Sequence, residues 1–385
     1  MTAPLHVAFV HPAYRPDGGA ERILARMLAA LGAHAVRLTV VTRRWDGAGA
    51  DPNVTVVRCD PFHVGRLWRE ASFARAACRA LASLEADLVQ SQTRIPCCHL
   101  YRAGGGVHRV WLRERNRARG WHGTLGQSLS LYHRHKLAEE ARLYGSPKLR
   151  AVICNSRMVA EEIREEYGVD PARLRVIYNG VDSDHFRPGM LRAESLQVRA
   201  RLGIRPEVPV FLFVGSGFER KNLAGAMRAL AQMSRPDTQL IVVGQDKQAG
   251  RYRALARRLG VADRVHLVGR QADVRPWYGA ADALVLPTLY DPFANVVLEA
   301  MASGLPVITS LKCGAVDLID SGRNGLLCDA LDVPALAAHM EHLCDRRARE
   351  RIGEAGRETV LPLSLDRMAG ELMAIYHDLL SIDAA

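Results

Sequence analysis

At 385 residues, the chain exceeds the roughly 250–300 residues at which a single hydrophobic core stops growing, so two domains near half the length each are expected. Hydrophobic residues make up 48% of it and charged residues 24%, which excludes disordered, collagen-like and disulfide-scaffold classes. The formal charge of +11 is uneven: residues 1–190 hold 28 Lys and Arg against 18 Asp and Glu, or +10, and the remainder 24 against 23, or +1. A polyanionic partner, either nucleic acid or an anionic membrane, should therefore meet the N-terminal half.

The opening Met1-Thr2-Ala3-Pro4 carries no basic run, and the apolar stretch Leu5 to Val10 is too short for a secretion signal. No later run approaches the ~20 apolar residues that a membrane span needs, so a cytoplasmic protein is expected. Apolar β-branched runs then alternate with helix-period segments. In the first half the runs predict strands at Leu5–Val10, Arg37–Thr42, Val54–Arg58, Asp87–Ser91, Ala151–Asn155 and Arg175–Tyr178. In the second half they predict strands at Val210–Gly215, Gln239–Gly244, Arg264–Gly269, Ala283–Pro287, Pro306–Ser310 and Gly325–Cys328. Parallel strands joined by helical crossovers give an α/β protein with one doubly wound domain in each half.

Turn residues at Asn179-Gly180-Val181-Asp182 and Phe186-Arg187-Pro188-Gly189 interrupt the pattern and place the boundary near 188, giving domains over 1–188 and 189–363. A last helix, within 364–385, has Met368, Leu372, Ile375 and Leu379 at helical spacing and no strand after it. Such a helix must cover something, with the first domain as the candidate. The eight cysteines show no C-x-x-C pair and mostly sit in apolar context, so buried reduced thiols are expected, with neither a disulfide framework nor a zinc site.

In open α/β sheets ligands bind beyond the carboxyl ends of the strands. After the first strand comes His11-Pro12-Ala13-Tyr14-Arg15-Pro16-Asp17-Gly18-Gly19-Ala20-Glu21-Arg22, where Gly18 and Gly19 open a predicted helix and let backbone amides approach an anion. The spacing is not that of a dinucleotide fingerprint, and a plain strand-to-helix turn is the alternative. The corresponding loop of the second half, Gly215-Ser216-Gly217-Phe218-Glu219-Arg220-Lys221-Asn222, adds two adjacent cations that suit a diphosphate. Cations at a helix N-terminus oppose the helix dipole, a local cost that favours a function over a solvated Arg-Lys pair. Further on, Asp291 is placed to cap, Pro292 to open a turn and the following helix to carry Glu299. The two acids lie eight residues apart, up to roughly 12 Å if the stretch were fully helical. That differs from the ~5–9.5 Å of carboxylates that act together on one glycosidic bond, and suits hydrogen bonds to separate hydroxyls of an extended sugar ligand.

The acid-x₇-Glu element continued by EAMASGLPVI resembles retaining glycosyltransferase family 4, whose members have the GT-B fold of two facing Rossmann-like domains with a deep cleft between them. The likeness runs along the chain through GGAER, ICNSRMV, VIYNGVD, FVGSGFERKN, IVVGQDK and VHLVGR. GSGFERKN, VVGQDK and LKCGAVDLI are most similar to lipopolysaccharide core glucosyltransferases that add glucose to inner-core heptose. The resemblance implies a UDP-sugar donor, a lipid-linked oligosaccharide acceptor and no metal, since Lys, Arg and helix dipoles take a metal's place at the leaving diphosphate. It implies that Glu299 binds the nucleotide ribose and that Asp291, where the family more often has Glu, holds donor-sugar hydroxyls. Arg220 and Lys221 match the diphosphate clamp, Gly18, Gly19 and Gly217 lie in phosphate-facing glycine loops, and the amides of Phe293, Ala294, Asn295 and Val296 match further donor contacts. Arg270 falls where the base is held. His108, after Gly104-Gly105-Gly106-Val107, lies near a position that carries a residue beside the reacting sugar; a histidine that does not reach the sugar is the alternative.

The stretch His108 to Arg142 interleaves Arg109, Arg113, Arg115, Arg117, Arg119, Arg134, Lys136 and Arg142 with Trp111, Trp121, Leu125, Leu129 and Tyr132. This reads as a segment docking on an anionic membrane, which would place the protein peripherally on the inner face of the cytoplasmic membrane. A solvated charged helix is the alternative. Nucleic acid is not expected, because no RNA or DNA motif accompanies the charge. The functional rivals are a family 4 enzyme with another donor or acceptor, a UDP-sugar epimerase on the same fold, and a basic binding protein without catalysis.

Overall fold

The computed structural model describes residues 5–14, 36–45, 54–120 and 130–381. They divide into two units, one of residues 1–180 with 365–385 and one of residues 181–364. The backbone N–H of Val181 donates to Leu363 O at 2.8 Å, which ties the turn after Gly180 to the second unit, eight residues ahead of the boundary expected from Pro188.

In the first unit the strands are β1 (Leu5–Val10), β2 (Ala13–Tyr14), β3 (Val36–Thr42), β4 (Arg44–Trp45), β5 (Val54–Arg58), β6 (Leu88–Ser91), β7 (Leu100–Arg102), β8 (Ala151–Cys154) and β9 (Leu174–Val176). Seven of them form one sheet in the order β5-β3-β1-β6-β7-β8-β9, while β2 and β4 pair separately. Every pairing in the large sheet is parallel. Strands buried on both faces need near-continuous apolar sequence, as Leu5–Val10 supplies. The helix Leu365–Ser381 returns to this unit: Met368, Leu372, Ile375, Tyr376 and Leu379 join Val7, Phe9, Leu38 and Leu100 in one core. Two polar contacts run beside this core: the Tyr376 hydroxyl donates to Gln90 Oε1 at 2.6 Å, and Arg102 Nη2 donates to Asn179 Oδ1 at 2.7 Å.

The sequence reading missed β7, a three-residue strand that ends in a buried arginine and so shows no apolar run. It also erred on the thiols. Cys78, in the helix Gly65–Ala82, is bonded to Cys97 across a Cα–Cα distance of 5.8 Å, and Cys59, Cys98, Cys154, Cys313, Cys328 and Cys344 are free. Disulfide pairing is set by tertiary proximity of two Cα atoms, which a spacing of 19 residues does not encode.

In the second unit β10 (Val210–Val214), β11 (Gln239–Val243), β12 (Val265–Gly269), β13 (Ala283–Leu286), β14 (Val307–Ser310) and β15 (Leu326–Cys328) form an all-parallel sheet in the order β12-β11-β10-β13-β14-β15. The chain winds outward from β10 to β12, then returns to β13 on the other side. The order therefore reverses between β10 and β13, the place where open α/β sheets leave room for a ligand beyond the strand ends.

Candidate active site

That reversal sets the loop after β10 beside the loop after β13. Gly215 has φ +139, a backbone that L side chains rarely adopt, and a Cβ there would overlap the Lys221 side chain. Gly217, at φ +74, completes the turn. Asn222 then caps the helix Leu223–Gln232 by accepting from Gly225 N–H, and its Nδ2 donates to Ala330 O at 2.6 Å. From the facing loop, Leu289 N–H (2.8 Å) and the Thr288 hydroxyl (3.0 Å) both donate to the Arg220 carbonyl. The backbone of the cation pair is thus fastened to the end of β13.

The two side chains reach one carboxylate. Lys221 Nζ lies 3.2 Å and Arg220 Nη2 3.6 Å from Asp291 Oδ2. Lys221 and Asp291 are 8% and 5% exposed, so the pair is desolvated, whereas the Arg220 side chain is two-fifths exposed. Burial alone pushes the Asp291 carboxyl up; Lys221, Arg220, the Lys221 hydrogen bond and the Phe293 N–H together overcome it and hold the group below the usual carboxylate range. Removing one partner of such a pair strands a buried charge, at roughly 3–5 kcal/mol. Asp291 also offsets the unfavourable position of two cations at a helix N-terminus.

The expectation that Asp291 caps the following helix is corrected. That helix spans Asn295–Ala302 with Ala294 in the N-cap and no side-chain cap. The Asp291 carboxylate is instead engaged by Lys221 and Arg220, and its backbone bonds Lys312 O at 2.9 Å and Gly314 N–H at 2.8 Å. Phe293 and Ala294 are buried ahead of the first turn, and Asn295 and Val296 are half-buried within it. Glu299, half-buried, follows one turn later and accepts from the Tyr278 hydroxyl at 2.8 Å. Tyr278 is a fully buried ring packed edge-on against Phe186, and no spacing in the sequence points to it. Thr288 was equally silent. Arg270 stands exposed after β12, the edge strand, two strands out from β10. Gly18 and Gly19 lie outside the described residues.

His108 belongs to the first unit. It opens the helix His108–Arg119 with no side-chain cap from Val107. The fully buried Glu140, in the helix Leu131–Tyr144, serves in place of a cap. Its carboxylate accepts from His108 N–H at 2.8 Å, Arg94 Nε at 2.9 Å and the Tyr167 hydroxyl at 2.7 Å. Around the imidazole, burial first, then Arg94, His133, Lys136 and Arg115, push its pKa down to about 3. Arg109 and Arg113 ion-pair with Glu166, and Arg117 with Glu114. Among the described residues, no helix is long and apolar enough to cross a membrane.

Comparison with known proteins agrees with this architecture. Residues 195–359 match the model described as Glycosyl transferases group 1, and residues 17–185 match Glycosyltransferase Family 4. The lipopolysaccharide glucosyltransferase WaaG of Escherichia coli K12 is 27% identical over 322 residues, covering 83% of this chain and 84% of WaaG. The solved structure of WaaG superposes with a TM-score of 0.82 at 24% identity, over 96% of this chain and 99% of that one. A D-inositol 3-phosphate glycosyltransferase of Thermomonospora curvata is 33% identical over 256 residues, 62% of this chain; the match spans only 59% of that enzyme's length. Anabaena HepE, solved in complex with UDP-glucose, superposes with a TM-score of 0.72 at 20% identity, over 98% of this chain and 99% of HepE. With its two halves matched in turn by glycosyltransferase models and its fold shared with WaaG, the chain is a glycosyltransferase of the GT-B fold.

Proposed function

We propose that this enzyme transfers a hexose, glucose from UDP-glucose, with retention of anomeric configuration, to a heptose of a lipid-linked lipopolysaccharide inner core. The observation that carries the reading is the desolvated Lys221–Asp291 pair, with Arg220 beside it, at the strand-order reversal. The relative named as a lipopolysaccharide glucosyltransferase and the neighbour solved with UDP-glucose support the choice of acceptor and donor.

In this reading Arg220 and Lys221 take the donor diphosphate and stabilise the negative charge that grows on it as the sugar–phosphate bond breaks, a task otherwise given to a metal. The amides of Asn295 and Val296, in the first turn of a helix, add donors to the same anion, while the Phe293 N–H stays on the Asp291 carboxylate. Asp291 keeps its charge and accepts from sugar hydroxyls, with Lys221 as its counter-ion. Glu299, oriented by Tyr278, accepts from the ribose hydroxyls. Gly18, Gly19 and Gly217 let backbone approach the phosphates, Arg270 holds the base, and His108 meets the sugar.

Docking on the inner face of the cytoplasmic membrane belongs to the same proposal. Arg109, Arg113 and Arg117 spend part of their charge on Glu166 and Glu114, so insertion falls to exposed apolar side chains beside the stretch: Phe62, Val64, Leu67, Trp68 and Leu131. The Arg66 guanidinium, 4.2 Å above the Tyr132 ring, joins the two helices that bear them. A soluble phosphorylated acceptor is the second reading, raised by the 33% identical inositol-phosphate enzyme. Incubation with labelled UDP-glucose and, in parallel, heptose-terminated lipid oligosaccharide and inositol 3-phosphate separates them. Label is expected in the lipid fraction; label in inositol phosphate alone would replace the acceptor, and interconversion of the donor without transfer would indicate an epimerase.

A further inference from the structure

His108 does not stand alone in the first unit. Its Nε2 lies 3.1 Å from Nδ1 of His133, and Nε2 of His133 lies 3.3 Å from Nη1 of Arg115. A guanidinium only donates, so His133 Nε2 must be the acceptor and carry no proton. A neutral His133 then has its proton on Nδ1, and that N–H points at His108 Nε2. His108 Nε2 is therefore an acceptor too, which leaves the His108 proton on Nδ1. Among the described residues no group bonds that Nδ1.

We propose that Arg115, acting through His133, fixes His108 as a neutral imidazole protonated on Nδ1, so that His108 serves the transfer as a hydrogen-bond donor to a sugar oxygen and not as a proton acceptor. The inference rests on the reading of His108 as a donor-sugar residue, but its structural half stands apart from it. The surroundings support neutrality. Arg94 packs from the β6–β7 connection, Arg115 from His108's own helix, and Lys136 and His133 from the helix Leu131–Tyr144, and all oppose a positive imidazole. The Glu140 carboxylate is engaged by Arg94, the Tyr167 hydroxyl and the His108 backbone N–H. His133 is itself held below its ordinary value by burial and by Arg115, Arg66 and Arg119. Arg115 and His133 are positioning residues; only His108 would meet substrate.

The tautomer is directly readable. Two-bond proton–nitrogen correlation spectra of the ¹⁵N-histidine-labelled full-length protein, with His108 assigned through His108→Gln, are expected at neutral pH to show His108 protonated on Nδ1 and bare on Nε2. In His133→Ala the proton should move to Nε2 in a large share of molecules, and kcat with UDP-glucose should fall about tenfold, the value of one neutral hydrogen bond. In His133→Asn, whose amide nitrogen replaces Nδ1–H as the donor, tautomer and rate should both return to within about twofold. Arg115→Leu should mix the two tautomers without touching His108, and it decides the matter if His133→Ala fails to fold by circular dichroism. An Nε2-protonated His108 in the wild type, or an Nδ1-protonated one unmoved by both Arg115→Leu and His133→Ala, overturns the proposal. If the spectra are as expected and no sugar is transferred from any UDP-sugar, the relay stands and the donor-site reading of the enzyme falls.

Discussion

Asp291 in the second unit is buried and His108 in the first is half-buried; both are ringed by cations, yet one ends ionised and the other neutral. Lys221 and Arg220 overcome the cost of burying Asp291 and keep it ionised, while Arg94, Arg115 and Lys136 add to the cost of burying a charged His108 and keep it neutral. The same sign of neighbour thus produces a carboxylate with paired cations at one site and an uncharged N–H donor at the other. The first arrangement suits an anionic leaving group. The second suits a hydroxyl, which needs a donor of fixed direction and no net charge.

The comparison breaks most easily at Lys221. Lys221→Ala should lower kcat by ~10²–10³, because a preorganised donor to developing charge is lost, and it should also lower Tm by leaving the more exposed Arg220 as the cation facing the buried Asp291. Arg220→Ala should move in the same direction and less. Steady-state kinetics on protein shown folded by circular dichroism checks both; near-normal turnover in Lys221→Ala removes the clamp from the account.

The division of labour between the acids is the next largest effect. Glu299→Ala should weaken UDP about tenfold, the value of hydrogen bonds to a charged acceptor. Asp291→Ala should leave UDP affinity nearly unchanged while turnover drops. Calorimetric titration with UDP separates them, and equal losses in both variants would refute the assignment.

At the membrane the contrast is between paired arginines and exposed apolar side chains. Co-sedimentation with phosphatidylglycerol vesicles should exceed that with neutral ones and should fall with salt. Trp68→Ser should reduce it about fivefold, equivalent to partial immersion worth ~1 kcal/mol. Arg113→Gln should cost less than the ~1 kcal/mol of a free charge, since Glu166 already holds that guanidinium. Binding that ignores lipid charge, or that RNA displaces, would turn the surface over to another partner.

A pH slope of the same direction and different origin is expected at the two sites. The depressed His108 pKa means that the unfolded chain takes up a proton near 6.5 that the folded one refuses until about 3. Stability should therefore fall as pH drops through that window, and His108→Asn should flatten the slope. Asp291, also depressed, contributes stability above its ordinary carboxylate pKa that is lost only on further acidification. Urea midpoints between pH 7 and pH 3 read both.

Much of the fold was legible because its signals are local. Strands buried on both faces must be apolar runs, and Leu5–Val10 and Val54–Arg58 stand at the bounds that the sequence predicts. The short β7 and the Cys78–Cys97 bond were not, since one ends on a buried arginine and the other depends on two segments meeting. At the site, Arg220 and Lys221 were visible as two cations placed against local preference at a helix start, and Asp291 as an acid spaced eight residues ahead of Glu299. Tyr278, Thr288, Glu140 and His133 act through partners far along the chain, so nothing at their own positions marks them.

The proposed clamp of Arg220 and Lys221 on a nucleotide-sugar, working without a metal, is tested most directly by a donor panel. Wild type and Lys221→Ala are incubated with UDP- and GDP-sugars in EDTA, and free nucleotide is quantified. Release of UDP from one UDP-sugar by wild type, unaffected by EDTA and reduced at least ~10²-fold in Lys221→Ala, is the predicted result. Release that requires an added divalent metal, or that survives the loss of Lys221, would contradict it.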